Sequence, residues 1–247
     1  VSFFSRNRHF CTKSVINKGL VLFNMRKAFQ HLVLLLLLVS GSTFAGSQIE
    51  EPLSNSVKAM MQRSISDKAA PRLVFATPEE GQAWLSEMSK RLEKRIPNAA
   101  YREDVLRTVH YEATRAGLDP QMVQGLIQVE SGFKKYAVSS VGARGFMQIM
   151  PFWVKSIGDK DHNLFQLRTN LRYGCTILRH YLDIERGDLY RALGRYNGSL
   201  GRPQYPNLVL GAWRKHWHYT PPFGASSIKV SENALSTSSV TLKTAQN

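Results

Sequence analysis

Between Thr77 and Thr220 the apolar residues recur every three or four positions, the spacing of helices that each bury one face. Trp84, Leu85, Met88 and Leu92 form one stripe, opened by Thr77 as N-cap, Pro78 at the first helical position and Glu80 closing a capping box. Val105, Leu106, Val109 and Ala113 form a second over roughly 102–116, stopped by Gly117. Asp119 and Pro120 open a third, "PQMVQGLIQVE". A helix over about 168–185, another beginning at the capping Asp188, and a last one in "YPNLVLGAWRKHWHY" complete the set. Strand-like alternation is almost absent, and the glycine-bearing loop 136–149 has room for a small β-hairpin at most. The fold class that follows is mainly α.

The flanks follow other patterns. In "MRKAFQHLVLLLLLVSGSTFAG", Arg26 and Lys27 precede an apolar run, and small residues end at Ala45; this is the order of a secretory signal peptide over 25–45. The run is short for a membrane span. Residues 1–24 precede that signal awkwardly and are expected to be an over-extended start. Residues 46–76 show no convincing period and are expected to be a linker or arm. Residues 221–247, rich in serine and threonine, are expected to be a disordered tail. The compact domain is therefore expected over 77–220, exported and periplasmic.

Charge changes the picture next. The chain carries +15, and residues 1–45 hold six basic residues and no acid, which leaves 27 basic against 18 acidic residues, or +9. Such a balance favours an anionic partner and leaves room for a peripheral contact with an anionic wall or membrane surface. Nucleic acid is not expected, since no zinc-finger spacing, phosphate loop or helix-turn-helix accompanies the charge. Cys175 is the one cysteine after residue 45, and its stripe with Leu171, Leu178 and Leu182 predicts a buried thiol, not a disulfide. His216 and His218 lack a third ligand, so no metal and no cofactor are expected. Trp213 and Trp217, at i and i+4, are expected to pack in the core.

One position breaks the binary pattern. Val123, Leu126, Ile127 and Glu130 stand at i, i+3, i+4 and i+7, which places a glutamate on an apolar stripe, and no further acid follows until Asp159. Apolar surroundings disfavour a charged carboxylate, and a general acid working near neutrality needs that effect.

The residues around Glu130 carry a family pattern. "VESGF" at 129–133, "AVSSVGARGFMQIMP" at 137–151, "NLRYG" at 170–174 and "ALGRYNGS" at 192–199 resemble, in order and spacing, the soluble lytic transglycosylases with a goose-type-lysozyme-like domain, which cleave peptidoglycan glycan. The resemblance covers about 97–215 and implies a lysozyme-like helical domain of the α+β superfamily. It implies Glu130 as the single catalytic acid and base. Ser139 matches the serine near the reacting sugar, Gln148 and Met150 match cleft-lining residues, Tyr196 matches the tyrosine that approaches the carboxylate, and Asn197 matches its substrate-orienting companion. Phe146, Phe152, Trp153 and Arg195 depart from the usual residues, and these departures bear on cleft shape.

The implied substrate explains why one acid suffices. Glycoside cleavage ordinarily uses two carboxylates, whereas a sugar bearing an N-acetyl group can supply the second nucleophile itself. The implied reaction splits the bond between N-acetylmuramic acid and N-acetylglucosamine and closes a 1,6-anhydro ring on the muramyl C6 hydroxyl. The alternatives are a hydrolytic muramidase and a non-catalytic wall-binding or secretion-apparatus module on the same fold. A third, weaker pattern is the S-x-x-K of Ser131 to Lys134, the acylating serine motif of penicillin-recognising enzymes.

Overall fold

A computed structural model describes residues 48–67 and 69–220. The expected signal peptide, the 1–24 extension and the 221–247 tail lie outside these residues. Among the described residues the chain is helical: α1 (Asn55–Ser66), α2 (Pro78–Leu92), α3 (Ala99–Arg115), α4 (Pro120–Ser131), α5 (Phe152–Ile157), α6 (Leu167–Ile184), α7 (Leu189–Tyr196) and α8 (Gln204–Ala212), followed by a π-helical turn (Trp213–Trp217). Extended pairing in these residues consists of the isolated bridges Val138 to Arg144 and Arg144 to Ile149, so the 136–149 loop is a tight hairpin-like turn and not a sheet.

The caps act where the sequence places them. Thr77 Oγ1 accepts from the Glu80 backbone N–H at 3.2 Å, the Asp119 carboxylate accepts from Gln121 and Met122, and the Asp188 carboxylate accepts from Arg191. Each cap satisfies donors that a helix start leaves unpaired. Gly132 ends α4 in the left-handed region at φ 57, and Phe133 follows at φ 66. Phe133 is held there by burial and by the Trp217 ring, 5.2 Å away.

α4 is the central element. Val123, Leu126 and Ile127 are fully buried. α3 packs on one side of it, and α8 with the π-helical turn packs on another. α6 packs on α3 and α7, and Cys175 is buried within α6 as its stripe predicts. Gly174 lies against the Met147 side chain, where a β-carbon would clash, so the loop over 144–149 sits directly on α6.

Three elements differ from the sequence reading, the first being α5 (Phe152–Ile157), which forms where no helix is expected and buries Trp153 and Ile157. Residues 55–66, placed within an aperiodic arm, form α1, capped by Ser54, with Met61 and Ile65 buried against the core. The last helix does not run through Tyr219: α8 gives way at Trp213 to the wider π-helical turn, and Trp217 is fully buried beneath it.

Candidate active site

Glu130 occupies the last turn of α4 and is 8% exposed. The next residue fixes that turn to the loop: the Ser131 hydroxyl, itself buried, hydrogen-bonds the Phe146 carbonyl at 2.7 Å and lies 3.2 Å from that of Ile127. Ser131 thus joins helix end to loop, a role at odds with an acylating nucleophile, and Lys134 points to solvent.

The loop is held by buried amides. Asn170 on α6 accepts from the Met147 N–H at 2.8 Å and donates to the carbonyls of Arg144 and Leu164, both at 2.8 Å. Gln148, 2% exposed and at φ 49, donates to the carbonyls of Gly145 at 2.9 Å and Ala137 at 3.2 Å. A non-glycine residue in that region is uncommon, and two buried hydrogen bonds from its own side chain offset the strain. Ser139 Oγ accepts from the Ala143 N–H at 3.0 Å and so closes the turn. Met150 is half-buried, and its N–H donates to Gln48 Oε1 at 3.2 Å. Gln48 is itself 4% exposed, so the segment before α1 packs against the loop.

A second tyrosine joins the expected one near the carboxylate. Tyr196 hydrogen-bonds the Met147 carbonyl at 2.8 Å. It is Tyr205, at the start of α8, whose hydroxyl donates to Glu130 Oε1. Both phenols are fully buried. Burial raises each well above the ordinary tyrosine range, the charge of nearby Glu130 raises both further, and Gln48 works slightly the other way on Tyr196. Both therefore remain neutral hydroxyls. Tyr196 lies near Glu130 and also holds the loop, while Tyr205 hydrogen-bonds the acid. Asn197, the C-cap of α7, is buried and donates to Ser199 Oγ at 3.0 Å.

Sequence reading missed Tyr205 because its period is that of a core residue: Tyr205, Val209 and Ala212 are the buried face of α8. Gln48 gave no signal, being a lone polar residue in an aperiodic stretch.

A cavity of about 820 Å³ opens elsewhere, between α1 and the loop leading into α6, with Arg63, Asp67, His162 and Arg168 on its walls. Glu130, Tyr196 and Tyr205 are not among its lining residues, so size does not mark the candidate site.

With the geometry in place, residues 107–206 match the family described as the Transglycosylase SLT domain. This segment is thus similar to SLT transglycosylase domains. It is also 35% identical over 110 residues to a protein of Enterobacteria phage PRD1 named "Transglycosylase", an overlap of 42% of this chain and 40% of the phage protein. The chain thus spans about two fifths of the length of that curated relative. No solved structure matches. The SLT domain's matched span contains Glu130, Ser131, the loop to Met150, Tyr196 and Tyr205. Gln48, α1 and the π-helical turn pack onto the matched segment from outside it.

Proposed function

We propose that this chain is a peptidoglycan lytic transglycosylase that cleaves the β-1,4 bond between N-acetylmuramic acid and N-acetylglucosamine without consuming water. The observation that carries the reading is the buried Glu130, met by the Tyr205 hydroxyl at the end of an SLT-domain helix.

In the proposed reaction the Glu130 carboxyl gives its proton to the glycosidic oxygen as the bond from the muramyl C1 to that oxygen breaks. The carbonyl oxygen of the muramyl N-acetyl group bonds to C1 and holds the positive charge as an oxazolinium ion. Glu130, now a carboxylate, takes the proton of the C6 hydroxyl while O6 attacks C1 and the N-acetyl oxygen departs. The carboxyl ends protonated, as it began, and the products are a free N-acetylglucosamine end and a 1,6-anhydromuramyl end.

Tyr205 suits this cycle. A phenol donates to Glu130 as a carboxylate and can accept from it as an acid, so it serves both halves of the reaction. Ser139, Gln148 and Met150 are assigned to the cleft around the reacting sugars, and Asn197 to substrate orientation. Tyr196 is reassigned to positioning the Met147 backbone. This substrate places the working protein in the periplasm, and the signal-like order of residues 25–45 would deliver it there.

Mass spectrometry of products from purified sacculi tests the reading. We expect 1,6-anhydromuropeptides from the wild type and none from Glu130→Gln. Products with reducing muramyl ends would instead make the enzyme a hydrolytic muramidase, and intact sacculi with the wild type would leave a binding module.

A further inference from the structure

A second surface, away from the residues assigned to the reaction, is built for anions. Where the end of α2 meets the π-helical turn, a hollow of about 370 Å³ is lined by Arg91, Arg95, Lys215, His216 and His218 over the buried Trp217, with no carboxylate among its lining residues. The two walls are fastened by Arg91, which donates to the carbonyls of His216 at 3.3 Å and His218 at 2.9 Å while its Nε pairs with Glu87 at 2.7 Å. Arg91 is thereby committed to structure. Arg95, Lys215 and the His216 ring are exposed, and among the described residues Arg95 and Lys215 form no ion pair. Of the acids around it, Glu87 is held by Arg91, Asp119 caps α4 near His218, and Glu93, two residues before Arg95, stands 3.9 Å from Arg102.

The hollow is mechanically tied to the helix that carries Glu130. Trp217 Nε1 donates to Gln128 Oε1 at 2.9 Å, two residues before Glu130, and Gln121 at the other end of α4 exchanges two hydrogen bonds with the Tyr219 backbone, at 2.6 and 3.1 Å. α4 is about 18 Å long at 1.5 Å per residue, so the basic wall and the acid lie within a few sugar lengths of one another.

We propose that this hollow is an accessory docking site for the carboxylates of the stem peptides on the glycan strand. The proposal rests on the peptidoglycan reading above and adds to it a charge-based grip separate from the cleft. Exposed cations held on a rigid turn attract a repeating polyanion at long range and steer it, and such attraction weakens as salt rises. Carboxylates repeated along the stem peptides would meet Arg95 and Lys215 together, which uncharged sugar hydroxyls could not do.

The test reads binding in the full chain carrying Glu130→Gln, so that the substrate survives and failure of catalysis is a separate result from failure of docking. Pelleting is measured on intact sacculi and on sacculi whose stem carboxylates have been blocked as amides by carbodiimide coupling to ethanolamine. Adding Arg95→Gln and Lys215→Gln is expected to weaken binding to intact sacculi by about tenfold at low salt, and to leave binding to blocked sacculi unchanged. Equal binding of both proteins to intact sacculi overturns the proposal, as does an equal loss on blocked sacculi. Loss on anionic phosphatidylglycerol vesicles or on duplex DNA, with sacculus binding retained, overturns it in favour of a membrane or nucleic-acid partner. Should the double variant melt early, the parent alone decides: binding to intact sacculi must fall steeply between about 50 and 300 mM salt while binding to blocked sacculi does not.

Discussion

Glu112 on α3 and Glu130 on α4 are both nearly inaccessible to water, yet three guanidiniums converge on the first and a phenol meets the second. Arg172 straddles Glu112 at 2.9 and 3.2 Å, Arg115 stands at 3.1 Å and Arg168 at 3.4 Å, so α3 is tied to α6; Arg172 also reaches the Ile65 carbonyl of α1. A guanidinium only donates, and all of these bonds need the carboxylate. A phenol both donates and accepts, so Tyr205 fits Glu130 in either protonation state. The fold thus uses one buried glutamate as a fixed joint and gives the other a partner that suits the proposed proton transfers.

The largest effect expected from breaking this contrast is on Glu130. Glu130→Gln should lower sacculus cleavage by at least about 10³-fold, because in the proposed reaction one group performs both proton transfers, while the melting temperature stays near that of the wild type. Glu112→Ala should do the reverse. Leaving three arginines around a buried vacancy should cost about 3 kcal/mol in urea unfolding, with activity per folded molecule retained. If instead Glu112→Ala unfolded no more easily than Glu130→Gln, the two sites would not differ as described.

The tyrosines sharpen the comparison. Tyr205→Phe should cut cleavage by about tenfold or more and alter the pH profile, whereas Tyr196→Phe, which loses the bond to the Met147 carbonyl, should show chiefly a stability loss of about 1 kcal/mol. Equal activity losses would return Tyr196 to the carboxylate.

His110 supplies a buried titratable group with neither cation nor phenol. It stacks on Phe75 at 4.5 Å and meets the Trp84 edge at 5.0 Å; its Nδ1 has no hydrogen-bond partner among the described residues. Burial lowers it from 6.5 to about 4. Because the folded form resists the proton that the unfolded chain accepts, its contribution is whole above pH 6.5 and is lost as the pH falls toward about 4. The loss should be about 2 kcal/mol, and His110→Phe should remove that part of the acid sensitivity in melting curves taken across this window.

Much of this arrangement was legible in residues close together in the chain. Thr77, Asp119 and Asp188 announce their helices by local chemistry, and Glu130 betrays itself by standing on the stripe of Val123, Leu126 and Ile127. Cys175 and Trp217 are buried as their spacing implied. α1 is also written locally, with Ser54 as cap and Val57, Met61 and Ile65 one helical turn apart, but its polar surroundings mask the period. Tyr205 was not legible in that way. It sits 75 positions from Glu130 and has the period of core, so only the packing of α8 on α4 distinguishes it from Tyr196, which the family pattern favoured. Gln48 is hidden for the same reason, its bond to Met150 spanning 102 positions.

That separation has a consequence for how the protein comes into being. Glu130 is in place once α4 is made, but the hydroxyl that meets it arrives only with α8, near the end of the described chain. A nascent or clipped chain ending before Tyr205 would hold its acid without its phenol, and would therefore lack the group that lets the carboxyl cycle. In the proposed reaction, competence would thus await completeness: a growing chain would spare the glycan until α8 had been synthesised and docked.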